Sequence, residues 1–383
     1  MKITWKKTIA GASVLGVVLL GGHSFADYND LLKTLEDNGT LTSDQVESLK
    51  SKQIIIPDNK FVKKMEIRGR VQVQAAYVDG ENDDGSGDYS TMELRRARLG
   101  ARGEFPGKVR GHIEGNILPG EASLRAAYIQ WRAHKPAYFK VGYDKPLTSL
   151  EENTSSSAIL TVERSNLTNT LAAPGETVGA LLTGDVAPFF YGLGVYNGED
   201  GTRNTSNVTS KYLFNARGGV EMDVTDDSTL IAMVTYVQSD DPNGNVGSDY
   251  DDVTYASLRF TTGPFDIRTE YMTGSSPDGD TDGFYIQPSM MLNEKLQVVG
   301  RYETISSDNP EGIRATSRYG RRVDIVDGVD RGDGFSALYV GLNYYITGNG
   351  DKVMLGFEMN ELENTGAGTY DSTTVFTAWR TLF

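Results

Sequence analysis

The length, composition and charge of the chain restrict what it can be. It has 383 residues with 43 Gly, 20 Tyr and no Cys, and its formal net charge is −15 at pH 7. The mean hydropathy is −0.37, and no apolar run of about 18 residues follows the N-terminal segment, which excludes a bundle of membrane-spanning helices. The lack of Cys excludes disulfide scaffolds and thiol catalysis. The acidic charge excludes nucleic-acid binding through the overall field.

The N-terminal segment has the organisation of a secretory signal peptide. Three lysines precede an apolar stretch over residues 9–20, and the sequence SFA at 24–26 offers small residues for cleavage. We therefore predict a signal peptide over residues 1–26; a retained anchor helix is the alternative. Residues 27–60 contain two short segments with helical spacing of apolar residues. They are too small to fold alone, and we predict a periplasmic helical lead-in, with a helical oligomerisation collar as the alternative.

From residue 61 onward the apolar residues recur at every second position, which is typical of β-strands. Val353, Leu355 and Phe357, for example, alternate with polar residues that include Lys352 and Glu358. The pattern predicts about sixteen strands, at 62–78, 89–104, 108–118, 121–133, 137–143, 176–185, 188–197, 211–223, 228–239, 251–262, 264–273, 283–292, 295–307, 335–346, 351–361 and 372–383.

The connections between these strands alternate in length. Tight ones such as 105–107 are followed by long ones such as 144–175, 308–334 and 362–371, with 119–120 as a short exception. A membrane barrel has short periplasmic turns and long external loops, whereas a soluble sandwich gives no reason for this separation. Because lipid cannot satisfy open backbone groups, the sheet has to close. We predict an all-β fold, a transmembrane antiparallel β-barrel over residues 61–383 with a short N-terminal helical segment.

The last predicted strand carries a second indication of a membrane barrel. Val375, Thr377, Trp379, Thr381 and Phe383 share one face, and the chain ends in an aromatic residue. A final strand that ends in Phe is similar to the signal read by the barrel assembly machinery. We therefore predict assembly through Phe383 in the outer membrane of a Gram-negative bacterium.

Several short motifs lie in and after the early strands. In chain order they are LRRARLG (94–100), LRAAY (124–128), VGYDKPLTSLEE (141–152), TSS (154–156), VERS (162–165) and LAAP (171–174). Together they resemble the phosphate-selective porin O and P family, most specifically over about residues 93–185. The resemblance implies a homotrimer of sixteen-stranded barrels. It also implies a third loop folded inward as a constriction and luminal arginines that guide anions.

An anion-selective pore presents cationic groups to water, spaced so that an anion moves between them without being trapped. Strand alternation predicts an inward orientation and a pore-lining role for Arg68, Arg70, Arg96, Arg98, Arg102, Arg110, Arg217, Arg259, Arg268 and Arg301. The third loop, 144–175, supplies the constriction candidates Lys145, Glu151, Glu152, Glu163 and Arg164. Inward carboxylates could pair with the arginines, so a continuous anion ladder and a wall of paired charges both stay open. The acids of this loop argue against strict phosphate selectivity and favour a mixed constriction.

The sequence indicates no catalytic, metal or cofactor site. The acidic loops 79–88 and 277–282 have alternating carboxylates, as calcium loops do, but lack the later bidentate Glu. A solvated acidic rim accounts for both. The three histidines, His23, His112 and His134, have no ligand spacing, and neither a Gly-x-Ser-x-Gly motif nor a phosphate-binding Gly loop occurs.

These observations together predict a porin, not an enzyme, that lets small hydrophilic solutes diffuse passively, with anions such as phosphate preferred. The expected partners are further copies of the chain in a homotrimer, outer-membrane lipid and lipopolysaccharide, the barrel assembly machinery and small inorganic anions, with no nucleic acid. Two alternatives stay open. One is a specific channel for a sugar, an organic acid or a metal oxyanion. The other is a structural barrel that tethers the outer membrane to the cell wall.

Overall fold

The structure is a computed structural model. It describes residues 62–82, 85–86, 88–134, 136–172, 175–198, 211–240, 250–314, 319 and 330–383. The predicted signal peptide over 1–26 and the predicted helical lead-in over 27–60 lie outside the described residues. Among those described, no helix is both long and apolar enough to cross a membrane.

Backbone contacts divide the chain into two compact units. The first consists of residues 1–66 with 103–106, and the second of residues 67–102 with 107–383. In the described part of the first unit, the Lys63 backbone N–H donates to the Glu104 carbonyl oxygen at 2.8 Å. The second unit contains the sites discussed below.

Sixteen long antiparallel strands form a closed barrel in the described residues, with three two-residue strands beside them. In chain order the strands are β1 (Lys64–Asn82), β2 (Gly85–Ser86), β3 (Tyr89–Phe105), β4 (Val109–Leu118), β5 (Glu121–His134), β6 (Ala137–Asp144), β7 (Thr177–Val186), β8 (Phe189–Asn197), β9 (Tyr212–Thr225), β10 (Ser228–Ser239), β11 (Asp252–Thr262), β12 (Phe265–Ser275), β13 (Thr281–Met291), β14 (Leu296–Ser307), β15 (Ile313–Arg314), β16 (Arg331–Gly332), β17 (Gly334–Tyr345), β18 (Asp351–Asn364) and β19 (Gly368–Leu382). A 3-10 turn spans Pro106–Lys108, and the two described helices are α1 (Leu150–Asn153) and α2 (Asn166–Leu171).

The barrel closes where its first strand pairs with its last. β1 and β19 are antiparallel over a register that runs from Arg70 opposite Leu382 to Glu81 opposite Asp371. Beyond this register, the Phe383 backbone N–H donates to the Gly69 carbonyl at 3.1 Å. Closure leaves no unpaired strand edge, which a membrane would not tolerate.

Side-chain alternation gives the barrel an apolar outside and a polar inside. On β18, Val353, Leu355 and Phe357 are exposed, whereas Lys352 and Glu358, which flank these three in the sequence, are buried inside the barrel. Outward apolar residues face lipid in a membrane barrel, and inward polar residues face the lumen. The period of two in the sequence therefore reports directly on the two faces of the wall.

All sixteen predicted strands are confirmed, but two predicted loops are wrong. In the predicted loop 79–88, β1 continues to Asn82 and pairs with β2. Residues 362–371 were expected to form a long external loop, whereas Asn364 pairs with Gly368 and leaves a three-residue turn. Glu361 and Glu363 continue the outward alternation as exposed residues, and Leu362 continues the inward one. A strand that extends beyond the lipid does not need an apolar outer face. Its outward residues can therefore be polar, and the segment then lacks the alternation that predicts a strand.

The β11–β12 hairpin shows why a tight turn needs its glycine. Only Gly263 and Pro264 separate Thr262 from its cross-strand partner Phe265. Gly263 has φ of +52°, in the left-handed region that a residue without Cβ adopts without strain. A positive φ at the first central position is the arrangement of type II′ hairpin turns.

The apolar core lies inside the barrel and not between layers. One buried cluster joins Leu167 and Leu171 of α2 to wall residues such as Tyr285 and Ile305. A second, smaller cluster surrounds Val162. Both clusters include residues of the segment between β6 and β7, so this segment packs against the inner face of the wall.

Candidate constriction site

The long segment between β6 and β7, residues 145–176, is called loop L3 below. Its two short helices begin at serines that cap them. The Ser149 hydroxyl accepts a hydrogen bond from the Glu152 backbone N–H at 3.0 Å, and the Ser165 hydroxyl accepts one from the Thr168 backbone N–H at 3.0 Å. Such N-caps satisfy backbone donors that have no partner within the helix. The Ser-Leu-Glu-Glu and Ser-Asn-Leu-Thr sequences therefore fold locally into single turns.

Apolar packing presses L3 against one side of the barrel. Leu167 and Leu171 are fully buried in a cluster with Met272, Tyr285 and Ile305 of strands β12 to β14. Burying one such side chain contributes about 1.5–3 kcal/mol. Helix α2 is thus held on this wall by a hydrophobic contact, which is unusual for a segment that lies in a polar lumen.

Two wall carboxylates accept hydrogen bonds from the starts of the L3 helices. Glu270 on β12 accepts from the backbone N–H groups of Leu150 at 2.6 Å and Glu151 at 2.8 Å. Glu303 on β14 accepts from the Leu167 backbone N–H at 3.1 Å. Helix N-termini carry unpaired N–H donors and a partial positive charge, so both carboxylates stabilise the loop.

Wall cations hold the middle of L3 through its carbonyl oxygens. Arg380 on β19 donates to the Ser156 carbonyl at 3.0 Å and to the Val162 carbonyl. Lys352 on β18 donates to the Ile159 carbonyl at 2.8 Å. Neither cation was among the predicted pore residues, although the strand alternation already places both on the inward face.

Arg301 on β14, one of the predicted pore arginines, lies beneath L3. It is 2 % exposed and lies near the carboxylates of Glu151 at 3.5 Å, Glu303 at 3.5 Å and Glu358 at 3.2 Å. One of its nitrogens also donates to the Glu163 carbonyl at 3.2 Å. In this position Arg301 stabilises the loop and is not exposed to water in the lumen.

Two further predicted arginines also have structural partners. Arg96 is 7 % exposed and donates to the Gln72 side chain at 2.8 Å. Arg217 on β9 donates to the Thr148 carbonyl and to the Asn153 side chain, both at 2.6 Å. Arg217 therefore holds the beginning of L3 in the same way that Arg380 holds its middle.

An irregularity in β3 brings an arginine inside that the sequence did not indicate. The exposed positions change from even numbers, ending at Leu94, to odd numbers at Leu99, so Arg95 and Arg96 both reach the interior. Arg95 forms an ion pair with Glu163 of L3 at 2.8 Å. Burial alone would raise the pKa of the Glu163 carboxyl, but the Arg95 guanidinium overcomes this and holds that pKa well below its usual range.

Glu151, another predicted constriction acid with a buried carboxylate, forms its hydrogen bonds within L3 itself. It accepts hydrogen bonds from the Ser165 hydroxyl at 2.6 Å and the Thr168 hydroxyl at 2.8 Å. It is 6 % exposed. Glu151 and Glu163 thus fix the shape and position of the loop.

The inward cations of β1, β3, β4 and β5 form a different group, called the basic wall below. It consists of Arg68, Arg70, Arg98, Arg102, Arg110 and Arg125. Arg98 pairs with Glu114 at 3.4 Å, and Arg125 pairs with Glu176 at the end of L3. The side chains of Arg98 and Arg125 remain 14 % and 25 % exposed. Sequence reasoning missed Arg125, whose neighbours Leu124 and Ala126 do not follow a simple alternation because β5 shifts register against β4 there.

L3 presents two cations on the same side as the basic wall. Lys145 and Arg164 both pair with Glu152, Arg164 at 3.0 Å. Electrostatic interactions join these cations to the basic wall, since Arg70 interacts with Arg125 and Arg164, and Lys145 with Arg98 and Arg125. The group contains five cations (Arg70, Arg98, Arg125, Lys145 and Arg164) and three carboxylates (Glu114, Glu152 and Glu176). Positive charge is therefore in excess here.

The last two predicted arginines lie on the opposite wall. Arg259 on β11 and Arg268 on β12 share the carboxylate of Asp266, at 3.0 Å and 2.8 Å. The ten predicted arginines therefore form three sets: basic-wall residues, residues that hold L3 or its neighbours, and this pair. Arg70 belongs to the first two sets, because it also donates to the Ser156 hydroxyl of L3 at 2.6 Å and to the Ser155 hydroxyl at 3.2 Å. The described residues contain no group of three or more side chains placed to bind a metal.

The comparisons with known proteins agree with this architecture. The family profile of phosphate-selective porin O and P matches residues 65–376. Among solved structures, the chain is similar to the anion-selective porin from Comamonas acidovorans, with a TM-score of 0.57, 13 % identity and coverage of 84 % of this chain and 99 % of that one.

Two further solved structures are similar to this chain. The outer membrane channel DcaP of Acinetobacter baumannii has a TM-score of 0.54 and 13 % identity, with 84 % and 97 % of the two chains covered. The trimer form of OmpT of Vibrio cholerae has a TM-score of 0.53 and 11 % identity, with 84 % and 99 % covered. At such identities the likeness shows the fold alone.

No curated protein sequence matches the chain. The family match, however, extends over most of its length and includes nearly all of the barrel. Family and fold indicate a channel in the Gram-negative outer membrane and not an enzyme. The chain belongs to the phosphate-selective porin O and P family.

Proposed function

We propose that this porin passes small hydrophilic anions, phosphate among them, through the space between L3 and the basic wall. The observation that carries the proposal is the uneven charge around this space. Five cations and three carboxylates lie at the level of L3 on the side of β1, β3 and β5. On the other side of L3, cations such as Arg301 and Arg380 are buried beneath the loop.

The position of L3 determines where solutes pass. Most of its apolar contacts and most of its anchors lie on strands β9 to β19, through residues such as Glu270, Arg301 and Arg380. On the other half of the wall, Arg70 of β1 donates to the Ser156 hydroxyl at 2.6 Å and Arg95 of β3 pairs with Glu163. A loop packed on that half of the wall narrows the lumen and leaves the water path along the other half. The basic wall then lines the narrow part of the path, and L3 faces it with Lys145 and Arg164.

Because the site contains both positive and negative charges, we expect it to prefer anions in general and not to select one particular anion. A site that conducts must bind an ion strongly enough to attract it and weakly enough to release it. Glu114, Glu152 and Glu176 reduce the positive potential next to the cations with which they pair. A phosphate ion would therefore find several guanidinium groups in succession and no closed cage.

We also propose that the chain is exported by the signal peptide over 1–26 and forms a homotrimer among outer-membrane lipid and lipopolysaccharide. A trimer form of one structurally similar porin supports the trimer. The aromatic Trp379 and Phe383 are 56 % and 69 % exposed on the outer face, which supports contact with lipid and recognition of the last strand by the assembly machinery. Cross-linking of the purified protein in detergent, read as the mass of the linked species, tests the trimer.

Planar bilayers test the transport function. We expect ohmic current steps and, across a KCl gradient, a reversal potential displaced toward that of chloride. Inorganic phosphate should reduce the chloride current only at millimolar concentrations, because the site is open. A reversal potential displaced toward that of potassium would contradict the anion preference, and block by phosphate below the millimolar range would contradict the open site. A complete lack of current steps would instead support a structural barrel.

A further inference from the structure

A second cavity lies on the side of L3 away from the basic wall. Its volume is about 440 Å³, and it extends from L3 to the ends of β11, β12 and β17 that are joined by short turns. Volumes of about 300–1,000 Å³ are typical of small-molecule sites. The cavity is separate from the proposed anion path, since it includes none of the residues of the basic wall.

One side of this cavity is cationic. Arg259 donates to both Asp266 oxygens at 3.0 Å, and Arg268 donates to one of them at 2.8 Å. Two guanidinium groups with five N–H donors each cannot be satisfied by a single carboxylate. Glu294 also lines the cavity but lies exposed on the β13–β14 turn, where water and salt screen its charge.

The other side of the cavity is apolar. Leu150, Ala158 and Leu160 of L3 line it, together with Met291 at the end of β13. Leu160 is 5 % exposed and so forms a fixed surface. A cationic pair therefore faces an apolar surface within one cavity, whereas L3 presents the charged Lys145 and Arg164 to the basic wall.

We propose that this cavity binds small organic acids in which one carboxylate is attached to an apolar body. The carboxylate would accept hydrogen bonds from Arg259 and Arg268, and charge-assisted contacts to guanidinium are among the stronger hydrogen bonds in proteins. The apolar body would pack against Leu150, Ala158 and Leu160 and would thereby be removed from contact with water. An inorganic anion or acetate gains only the first of these contacts. The proposal does not depend on the ion preference of the basic wall.

Benzoate, acetate and benzyl alcohol separate the two contributions in equilibrium binding measurements. Benzoate has both the carboxylate and the apolar ring, whereas acetate lacks the ring and benzyl alcohol lacks the charge. The Kd of each probe is measured by titration of the purified full-length porin in detergent. The Kd of benzoate should be at least tenfold lower than that of acetate or benzyl alcohol.

The decisive variant is Arg259→Gln with Arg268→Gln and Asp266→Asn. It removes the charge of the pair without leaving a carboxylate unpaired, and we expect benzoate and acetate to become equally weak. Lys108→Gln, which removes one cation from the exposed 106–108 turn, should retain the wild-type difference. Equal Kd values of benzoate and acetate for the wild-type porin, or a tenfold difference that survives in the triple variant, would overturn the proposal.

A second variant keeps the test valid if the triple variant does not fold. Ala158→Phe leaves both arginines in place and fills the apolar side of the cavity. The Kd of benzoate should rise at least fivefold, with that of acetate unchanged. An unchanged benzoate value in Ala158→Phe would equally refute the site.

Discussion

Replacing Arg98 and Arg125 with Gln tests whether the basic wall sets the ion preference. The two side chains interact electrostatically with each other and are 14 % and 25 % exposed. Because they are partly buried, the energy of their interaction with a passing ion in water is a lower limit. In water a unit charge about 6 Å from an ion changes its energy by about 0.7 kcal/mol. Salt at about 0.1 M, with a Debye length of about 10 Å, reduces this by roughly half.

Loss of two charges therefore disfavours an anion by about 0.7 kcal/mol and favours a cation by a similar amount. The difference of about 1.4 kcal/mol corresponds to roughly tenfold. We expect the chloride-to-potassium permeability ratio to fall by about this factor at 0.1 M salt and by less at 1 M, where the Debye length is about 3 Å.

The assay is the reversal potential of single channels across a KCl gradient. The control is Lys108→Gln with Lys295→Gln, which removes the same charge from exposed short turns outside the basic wall. A permeability ratio that changes less than about twofold in Arg98→Gln/Arg125→Gln, or by the same factor in the control, would refute a role of the basic wall in ion preference.

Three further predictions concern the anchoring of L3 and the barrel turns. Arg380→Met should remove the Arg380 donor from the buried Val162 carbonyl, at a cost of about 1–3 kcal/mol, and increase current fluctuations at constant voltage. A recording as quiet as wild type would contradict an anchoring role. Because Arg95 keeps the pKa of Glu163 low, their ion pair stabilises the fold above the ordinary carboxyl pKa and is lost only as the pH falls through the lowered one. The wild-type current should therefore stay steady from about pH 7 to about pH 5, whereas the current of Glu163→Gln should fluctuate at pH 7. The account would be contradicted if current noise in the wild type began above about pH 5 and were absent in Glu163→Gln. Gly263→Val forces a branched residue to φ of +52° and should lower the free energy of unfolding by about 1–2 kcal/mol. The measurement is the midpoint of urea unfolding from lipid vesicles. Thr377→Val, at an outward position, is the neutral comparison.

The arginines show how a local pattern and a tertiary arrangement combine. Alternation along β14 correctly predicts that Arg301 points inward, as alternation along β3 does for Arg98. The two residues nevertheless differ in role, because Arg301 is covered by L3 and Arg98 is not. Whether an inward arginine meets water depends on which half of the wall L3 covers, and L3 lies far from both strands in the sequence.

Other differences between prediction and structure have equally local causes. The shift of alternation between Leu94 and Leu99 brings Arg95 inside, and a single extra residue of this kind leaves no mark in a charged stretch such as LRRARLG. The extension of β18 to Asn364 was missed because outward residues beyond the lipid are polar. The alternation of apolar and polar residues predicts a strand only where one face of the strand contacts lipid and the other contacts water.

What the sequence by itself determined is the barrel: its strands, their order and, away from irregularities such as those at Arg95 and Arg125, the face on which a side chain lies. These follow from alternation over neighbouring residues and from the requirement that backbone groups in lipid be paired. The tertiary structure alone decided which inward charges remain available to a solute. That depends on the packing of L3 against β9 to β19, where apolar burial of Leu167 and Leu171 and the anchors Glu270, Arg301 and Arg380 act together. No local pattern records contacts between residues so far apart in the chain.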